Sequence, residues 1–235
     1  MSKFKKYIII IVVLIIAILL GGIYYYKNYM YSLEKVSAML NSAEILNKDN
    51  IYIQRKTYSG DSEECTSYSD YYKKDNMSYR IQDNNINKYE TFFDGETSKE
   101  ISVSHNENKI FSFNIENNDD IDLAFKETFF ILVEQHGLYE HRGNYKFHGK
   151  ETINGKKCIK VSLTDNYENE IDVIYFYIDL ETNFIVKYES YSGKNKKELQ
   201  RNHAETVEYN FNTVTDDQIL KFDINNYPDY EYIEF

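Results

Sequence analysis

The chain has 235 residues, with 27 basic and 38 acidic side chains and a formal net charge of −11. Four of the basic residues lie within the first 27 positions, before the first acidic residue, Glu34. The remainder therefore carries 23 basic and 38 acidic residues, a net charge of −15. A domain this acidic repels nucleic acid, which excludes nucleic acid as a partner, and it is typical of a soluble surface outside the cell.

The first predicted element is a transmembrane helix over residues 7–26, a stretch without a charged side chain. About 20 apolar residues cross the core of a bilayer. Three lysines in residues 1–6 precede the stretch and only Lys27 follows it closely, so the positive-inside rule predicts a cytoplasmic N-terminus. Residues 27–235 are then expected outside the cell membrane, held by a single-pass anchor.

A cleaved signal peptide is the alternative, because it shares the basic start and the apolar run. The run is long for a signal peptide, and the sequence that follows, GGIYYYKNYM, has no small-x-small cleavage site. No cysteine lies near the end of the run, which argues against a lipoprotein signal. These features favour an uncleaved anchor.

Residues 32–47 are predicted to form a short helix after the anchor. Apolar side chains, among them Leu33, Val36 and Leu40, recur there at three- and four-residue spacing. Residues 28–31 leave almost no linker between the two helices. The domain is therefore expected to lie close to the bilayer.

From residue 50 onward, apolar and polar side chains alternate, with turn residues at short intervals, which is typical of an antiparallel sheet. Asp94-Gly95 and Asn154-Gly155 lie between alternating runs and are strong hairpin signals. The pattern predicts eleven strands, over residues 51–58, 64–73, 77–82, 88–93, 98–104, 109–115, 144–151, 156–164, 170–178, 184–191 and 198–211.

An apolar helix is predicted to interrupt these strands. Asn118 or Asp119 is suited to cap its N-terminus, and Gly137 is a plausible end. Its apolar surface comprises Leu123, Phe125, Phe129, Phe130, Leu132 and Val133.

Three segments of the second half carry a family resemblance: GKETINGKKCIKVSL, IDVIYFYIDLETNFIVKYESYSG and VEYNFNTVTDDQILKFDI. A Gly-containing turn leads into one strand, and the next strand ends in an Asp-x-x-Thr turn at residues 179–182. With the aromatic-Asp-Gly hairpin at residues 93–95, this pattern resembles the lipoprotein-carrier-like domains of the LolA, LolB and RseB superfamily.

The resemblance covers nearly all of the chain after the anchor. It implies an α+β fold, in which a strongly curved, unclosed antiparallel barrel carries helices against its concave face. Members of the superfamily use that concavity to hold acyl chains or to recognise segments of envelope proteins. The resemblance therefore implies a membrane-anchored, non-enzymatic binding domain for an apolar ligand such as a lipid, or alternatively an envelope sensor or assembly factor that binds another protein.

Aromatic side chains are the candidate ligand contacts, since the chain contains 24 Tyr and 14 Phe. Tyr can line an amphipathic groove, but it also replaces Leu and Phe in the core of a sheet, and both interpretations stay open. The candidate groove or lid residues are Phe125, Phe129, Phe130, Tyr175, Tyr177 and Tyr188.

The two cysteines, Cys65 and Cys158, lie outside the cell on this topology, where disulfides persist. Both alternate with small or polar neighbours, which is compatible with a shared face. Their strands are far apart in a simple meander, and a disulfide requires Cα atoms within about 7 Å. The sequence leaves a disulfide and two free thiols as alternatives.

Recognisable catalytic and metal-binding patterns are absent from the sequence. There is no Gly-rich phosphate loop, no G-x-S-x-G and no H-E-x-x-H. His136, His141 and His148 are too widely spaced for a structural zinc site. The acidic residues 116–122 lack the register of a calcium loop and suit a helix N-terminus instead, as do Asp216 and Asp217. The sequence therefore indicates no catalytic residue, no metal and no cofactor.

Overall fold

The computed structural model describes residues 3–26, 30–42, 48–115, 145–167 and 170–235. The predicted helix between residues 118 and 137 lies outside the described residues. The first element, α1, spans Lys3–Tyr25, and its segment Tyr7–Tyr25 is long and apolar enough to cross a membrane. The exposed aliphatic side chains of this segment make no core of their own, which is what a helix facing lipid requires.

The second helix, α2, spans Leu33–Asn41 and is shorter than the predicted helix over residues 32–47. Ser32 precedes it in an extended conformation. Leu33, Val36 and Leu40 are buried, as the three- and four-residue spacing predicts. Residues 43–47 lie outside the described part of the chain.

Twelve strands form one sheet, and all eleven predicted strands are among them. The order across the sheet is β12-β6-β5-β4-β3-β2-β1-β11-β10-β9-β8-β7, with β12 and β7 at the two edges, so the sheet is not closed. The strands are β1 Asn50–Ser59, β2 Cys65–Lys74, β3 Met77–Asp83, β4 Lys88–Asp94, β5 Lys99–Ser104, β6 Lys109–Asn114, β7 Lys146–Ile153, β8 Lys156–Tyr167, β9 Glu170–Asp179, β10 Ile185–Gly193, β11 Gln200–Phe211 and β12 Glu231–Glu234.

The hairpin turns explain why the strands follow one another so closely. Asn154 and Gly155 both adopt positive φ, 49° and 80°, as a two-residue turn between β7 and β8 requires. Gly95 lies between β4 and β5, where a Cβ atom would come within 2.5 Å of the Asn76 carbonyl oxygen. A side chain at this position would therefore disrupt the turn.

The C-terminal tail after β11 forms three short elements. Helix α3, Asp216–Ile219, begins with a capping box between Thr215 and Gln218, with Asp216 and Asp217 in its first turn as predicted. A 3-10 helix follows at Ile224–Asn226, and β12 then pairs with β6 in parallel. β12 is the only strand of the described sheet that the sequence pattern does not predict.

The two faces of the sheet are covered by different elements. On one face, the apolar side chains of α2 pack against Val161 of β8 and Phe176 of β9, and we call it the α2 face. On the opposite face, Phe222 of the tail stacks on Phe92 of β4, with ring centroids 5.5 Å apart. An unclosed, mostly antiparallel sheet behind an N-terminal apolar helix confirms the predicted fold class.

Candidate functional site on the α2 face

Strand pairing shows which side chains share the α2 face, because directly paired residues point to the same side of a sheet. Phe176 pairs with Tyr188, which in turn pairs with Glu205 of β11. Val207, two residues after Glu205, pairs with Arg55 of β1. The α2 face therefore continues from the strands under α2 to the arginine-bearing strands β1–β3.

The half of this face formed by β7–β10 is filled. Side chains from α2 lie in one buried cluster with apolar residues of β8, β9 and β10, and Ile159, Val161 and Ile178 are at most 1% exposed. Phe147 of β7 stacks on Tyr31, at 4.9 Å between ring centroids. This half is a hydrophobic core of the described residues.

The middle of the α2 face carries a group of polar side chains, which we call the polar strip. Arg55 Nε lies 2.8 Å from Glu205 Oε1, and the Tyr188 hydroxyl is hydrogen-bonded to His203 Nε2 at 2.6 Å. These contacts join β1, β10 and β11. The strip comprises Arg55, Ser69, Arg80, Gln82, Tyr188, His203 and Glu205.

Burial dominates the electrostatics of the strip. It raises the pKa of Glu205, against the opposing influence of Arg55 and Tyr188. It also raises the pKa of Tyr188, where Glu205 adds to the effect, and lowers the pKa of His203. The strip is therefore a partly dehydrated region, where charges are stabilised mainly by their direct partners.

Arg80 of β3 differs from Arg55 in its partners, which are neutral side chains among the described residues. Its Nε donates to Ser69 Oγ at 3.4 Å, and one terminal nitrogen donates to Gln82 Oε1 at 3.1 Å. Both partners are neutral, and no carboxylate within the described residues forms an ion pair with Arg80. Burial, and secondly the like charge of Arg55, lower the pKa of Arg80. The two hydrogen bonds of Arg80 therefore leave the charge of the guanidinium without an ion pair in the described part of the chain.

Beyond Arg80, the α2 face ends in a group of phenylalanines, which we call the phenyl patch: Phe111, Phe113 and Phe235. Arg80 pairs with Thr91, Thr91 with Ser102, and Ser102 with Phe111, so this row lies on one face. Phe113 and Phe235 stack at 5.0 Å between ring centroids, and Phe235 is 66% exposed. The patch presents apolar rings to solvent near the β12 edge.

The sequence-predicted tyrosines do not all lie on the α2 face. Tyr188 does, in the polar strip. Tyr175 and Tyr177 alternate with Phe176 along β9, and Tyr177 lies in a second buried cluster with Ile53, Tyr71 and Val207. There the Tyr177 hydroxyl donates to Glu189 at 2.8 Å, and Lys160 Nζ lies 5.0 Å from the centre of the Tyr177 ring. Tyr177 is only 3% exposed, so it acts as a core residue. The role of the three tyrosines as groove residues stays a prediction.

The predicted lid residues Phe125, Phe129 and Phe130 lie outside the described residues. The two cysteines are both free. Cys65 begins β2 and Cys158 lies in β8, and β1, β11, β10 and β9 separate the two strands. Four intervening strands place the thiols far beyond the reach of a disulfide, so the structure has the two free thiols and not the bridge.

Acidic and histidine side chains of the described residues do not gather into a metal-binding group of three or more. The residues that sequence reasoning missed are Arg55, Arg80 and the phenyl patch. A basic residue at an inward position of a strand was a usable signal, but the inward direction of β1 and β3 becomes clear only from their pairing.

The site and the sheet define a class of protein: an unclosed antiparallel sheet behind an apolar N-terminal helix, with a polar strip across one face. No family model matches the chain, and no curated protein matches it.

Solved structures do show a likeness in overall shape. An uncharacterised conserved protein from Thermus thermophilus has a TM-score of 0.44 at 9% identity, covering 86% of this chain and 99% of its own. The MucA/MucB complex of Pseudomonas aeruginosa has a TM-score of 0.38 at 12% identity, covering 79% and 60%. A putative outer membrane lipoprotein-sorting protein domain from Vibrio parahaemolyticus has a TM-score of 0.23 at 8% identity, covering 81% and 96%.

At this similarity the likeness concerns shape alone. The chemistry of the α2 face is a property of its own residues.

Proposed function

We propose that this chain is a membrane-anchored, non-enzymatic binding domain that holds an apolar ligand, such as a lipid or acyl chain, on the α2 face. The observation that supports it is the phenyl patch, where Phe235 is 66% exposed and stacks on the half-buried ring of Phe113. Aromatic rings gathered at the surface of a soluble domain indicate a binding surface. The patch continues along the row Ser102–Thr91 to the polar strip, so one face offers both apolar and polar contacts.

The site lies in the half of the face that α2 does not fill. Under α2, the side chains of β8 and β9 are almost completely buried. Along β3–β6, by contrast, Arg80, Thr91, Ser102 and Phe111 are all partly exposed. A ligand would therefore contact this second half and leave the core intact.

The proposed function includes a membrane topology for the chain. We propose that residues 1–6 are cytoplasmic, that residues 7–26 span the membrane and that residues 27–235 form the extracytoplasmic domain. The described helix Tyr7–Tyr25 is long and apolar enough for this role. α2 begins at Leu33, close after the anchor, so the sheet lies near a source of lipid.

A lipid analysis of the full chain tests the ligand. The chain is purified in a neutral detergent, and lipids that survive detergent exchange are identified by native mass spectrometry. We expect one lipid or acyl chain per protein, and its loss in a variant with Phe113→Ser and Phe235→Ser. Ile86→Ser is the matched control, because Ile86 is 76% exposed in the turn between β3 and β4. Lipid retained equally by both variants would refute the α2 face as the site.

Thiol labelling of intact cells tests the topology. Cys65 is partly exposed and Cys158 is completely buried, so a membrane-impermeant maleimide reports on Cys65. We expect labelling of intact cells that disappears in Cys65→Ser. Labelling that requires cell lysis would contradict an extracytoplasmic domain.

A protein partner is the second candidate function, as an envelope sensor or assembly factor. It is favoured by the unclosed sheet, since β7 is an edge strand among the described strands and an edge strand can pair with an extended segment. Crosslinking in native membranes from a photoreactive residue at position 150 of β7 tests it. A discrete crosslinked protein would support this candidate, and the absence of any would count against it.

A further inference from the structure

We infer that Arg80 binds the anionic head group of an acyl-chain ligand whose chain runs across β4 and β5 to the phenyl patch. This inference rests on the proposed function and adds to it the chemical class of the ligand. It assigns the polar end of the ligand to one side chain and the direction of its chain to one row of residues.

The first support is the hydrogen bonding of Arg80. A guanidinium has five N–H donors in a planar fork, and Arg80 uses one on Ser69 Oγ and one on Gln82 Oε1. Both acceptors are neutral, so its positive charge has no direct counter-charge among the described residues. A carboxylate or phosphate oxygen pair matches the remaining donors in shape and in charge.

The second support is the contrast with Arg55. Arg55 has its counter-charge, Glu205, at 2.8 Å. Glu100 shares the α2 face with Arg80 and its charge raises the pKa of Arg80, but it is the weakest of the influences on this group and forms no ion pair with it. Burial and the nearby Arg55 both disfavour the charged form of Arg80. A bound anion would stabilise that charged form and so offset both effects.

The third support is the direction of the row. Arg80, Thr91, Ser102 and Phe111 are consecutive partners on four neighbouring strands. Neighbouring strands lie about 4.8 Å apart, so Arg80 and Phe111 are separated by roughly 14 Å across the sheet. Thr91 and Ser102 between them share a hydrogen bond at 2.8 Å, so neither hydroxyl demands a polar partner from the ligand. An extended acyl chain fits this crossing, with its apolar end on the phenyl rings.

The overall charge of the domain makes the inference selective. With 38 acidic residues in the chain, an anion finds little general attraction to this surface. Binding of an acidic ligand therefore depends on the local guanidinium, and a single substitution should remove it.

Photolabelling of the full chain in neutral detergent tests the inference. The probes are a photoreactive palmitic acid and the corresponding alcohol, which has the same chain and no charge, and labelled peptides are mapped by mass spectrometry. The variants are Arg80→Gln, Arg80→Lys and, as a control, Lys56→Gln. Lys56 follows Arg55 in β1, so its substitution removes the same charge on the opposite face.

We expect the acid to label peptides of β3–β6 in the wild-type chain at least about tenfold more efficiently than the alcohol, the usual effect of a charge-assisted hydrogen bond. Arg80→Gln should lower acid labelling to the level of the alcohol, Arg80→Lys should retain part of it, and Lys56→Gln should change nothing. Inorganic phosphate should not compete.

Two outcomes separate failure of this inference from failure of the proposed function. Equal labelling by acid and alcohol, unchanged in Arg80→Gln, would show that an acyl chain binds without a head-group site at Arg80. No labelling of β3–β6 by either probe would overturn the proposed function as well. Competition by inorganic phosphate would show a site for free anions and refute the acyl-chain ligand.

Discussion

The two halves of the α2 face are built on the same alternation of side chains but differ in what covers them. Under α2, the inward positions of β8 and β9 are Ile, Val, Leu and Phe, and they form a buried core. Across β1, β3 and β11, inward positions include Arg55, Arg80 and Glu205. Inward direction in a sheet therefore does not by itself make an apolar core. Burial by a covering element such as α2 is also required.

The charged half has a cost that the apolar half does not have. Taking a charge out of water is unfavourable unless it is paired. Among the described residues, Arg55 has a carboxylate partner and Arg80 has only neutral partners. Positions where a sequence departs from the rule that inward means apolar are commonly functional. Substitutions in the two halves should therefore differ in how much they lower the free energy of unfolding.

The largest effect is expected in the apolar half. Phe176 is 2% exposed between α2 and Tyr188, so Phe176→Ala should lower the free energy of unfolding by about 3–5 kcal/mol. Phe113→Ala, the same change in the partly exposed half, should cost about 1 kcal/mol, since less buried surface is lost. Urea titrations of both variants in neutral detergent measure the difference. Equal losses would show that the phenyl patch is also core.

The next effect concerns the ion pair of the polar strip. Arg55→Met leaves Glu205, which is 7% exposed, without its cation, and should cost about 2–3 kcal/mol. The cost is limited because Glu205 can then take up a proton. Adding Glu205→Leu to the same chain should recover most of the loss, because two apolar side chains replace the pair. A double variant as unstable as Arg55→Met would show that the pair itself stabilises the fold.

A smaller effect is expected in the pH dependence of stability, with opposite signs on the two faces. Burial raises the pKa of Glu205 above its ordinary value of 4.5. The folded state then holds a proton that the unfolded state releases, so stability falls as the pH rises above 4.5 toward the folded pKa. Burial also opposes ionisation of Glu189, but hydrogen bonds from Lys187 and Tyr177 outweigh it and lower the pKa of Glu189. The contribution of ionised Glu189 to the stability of the fold is therefore lost as the pH falls below 4.5.

Unfolding free energies of Glu205→Gln and Glu189→Gln between about pH 3 and pH 7 check these signs. Relative to the wild type, the free energy of unfolding of the Glu205→Gln variant should increase as the pH rises. Relative to the wild type, the free energy of unfolding of the Glu189→Gln variant should increase as the pH falls. Parallel curves for the two variants would contradict the difference between the faces.

The strands could be predicted from the sequence because their signals are local. All eleven predicted strands appear, with ends shifted by at most three residues, since alternation and turns such as Asn154-Gly155 act over a few neighbours. β12 could not be predicted, because Glu231–Glu234 is short and finds its partner β6 more than 100 residues earlier. Nothing in those four residues marks a strand.

The candidate site could be predicted only in part. Tyr188 can be identified from its residue type, but its face follows from pairing with Phe176 and Glu205. Arg55 lies in a polar run of β1, where alternation is weak, so its inward direction depends on the partner strands on both sides. Tyr177 has the same residue type as Tyr188 but donates to Glu189 in a second buried cluster, whereas Tyr188 contacts His203. The site depends on register, which is a property of distant segments.

The smallest effect on stability, and a test of the strand order, comes from the two cysteines, Cys65 in β2 and Cys158 in β8. Cys158 is completely buried, and burial raises the pKa of its thiol to about 11, so it should not react with a maleimide in the folded chain. Cys65 is partly exposed at the start of β2 and should react. Without prior reduction, the native chain should therefore bind one equivalent of reagent and the unfolded chain two. Cys65→Ser should abolish the reaction of the native chain. The same substitution should change the free energy of unfolding by less than about 0.5 kcal/mol. A chain that binds no reagent until it is reduced would contain the disulfide, and it would require β2 and β8 to be neighbours, which would overturn the strand order that separates the two halves.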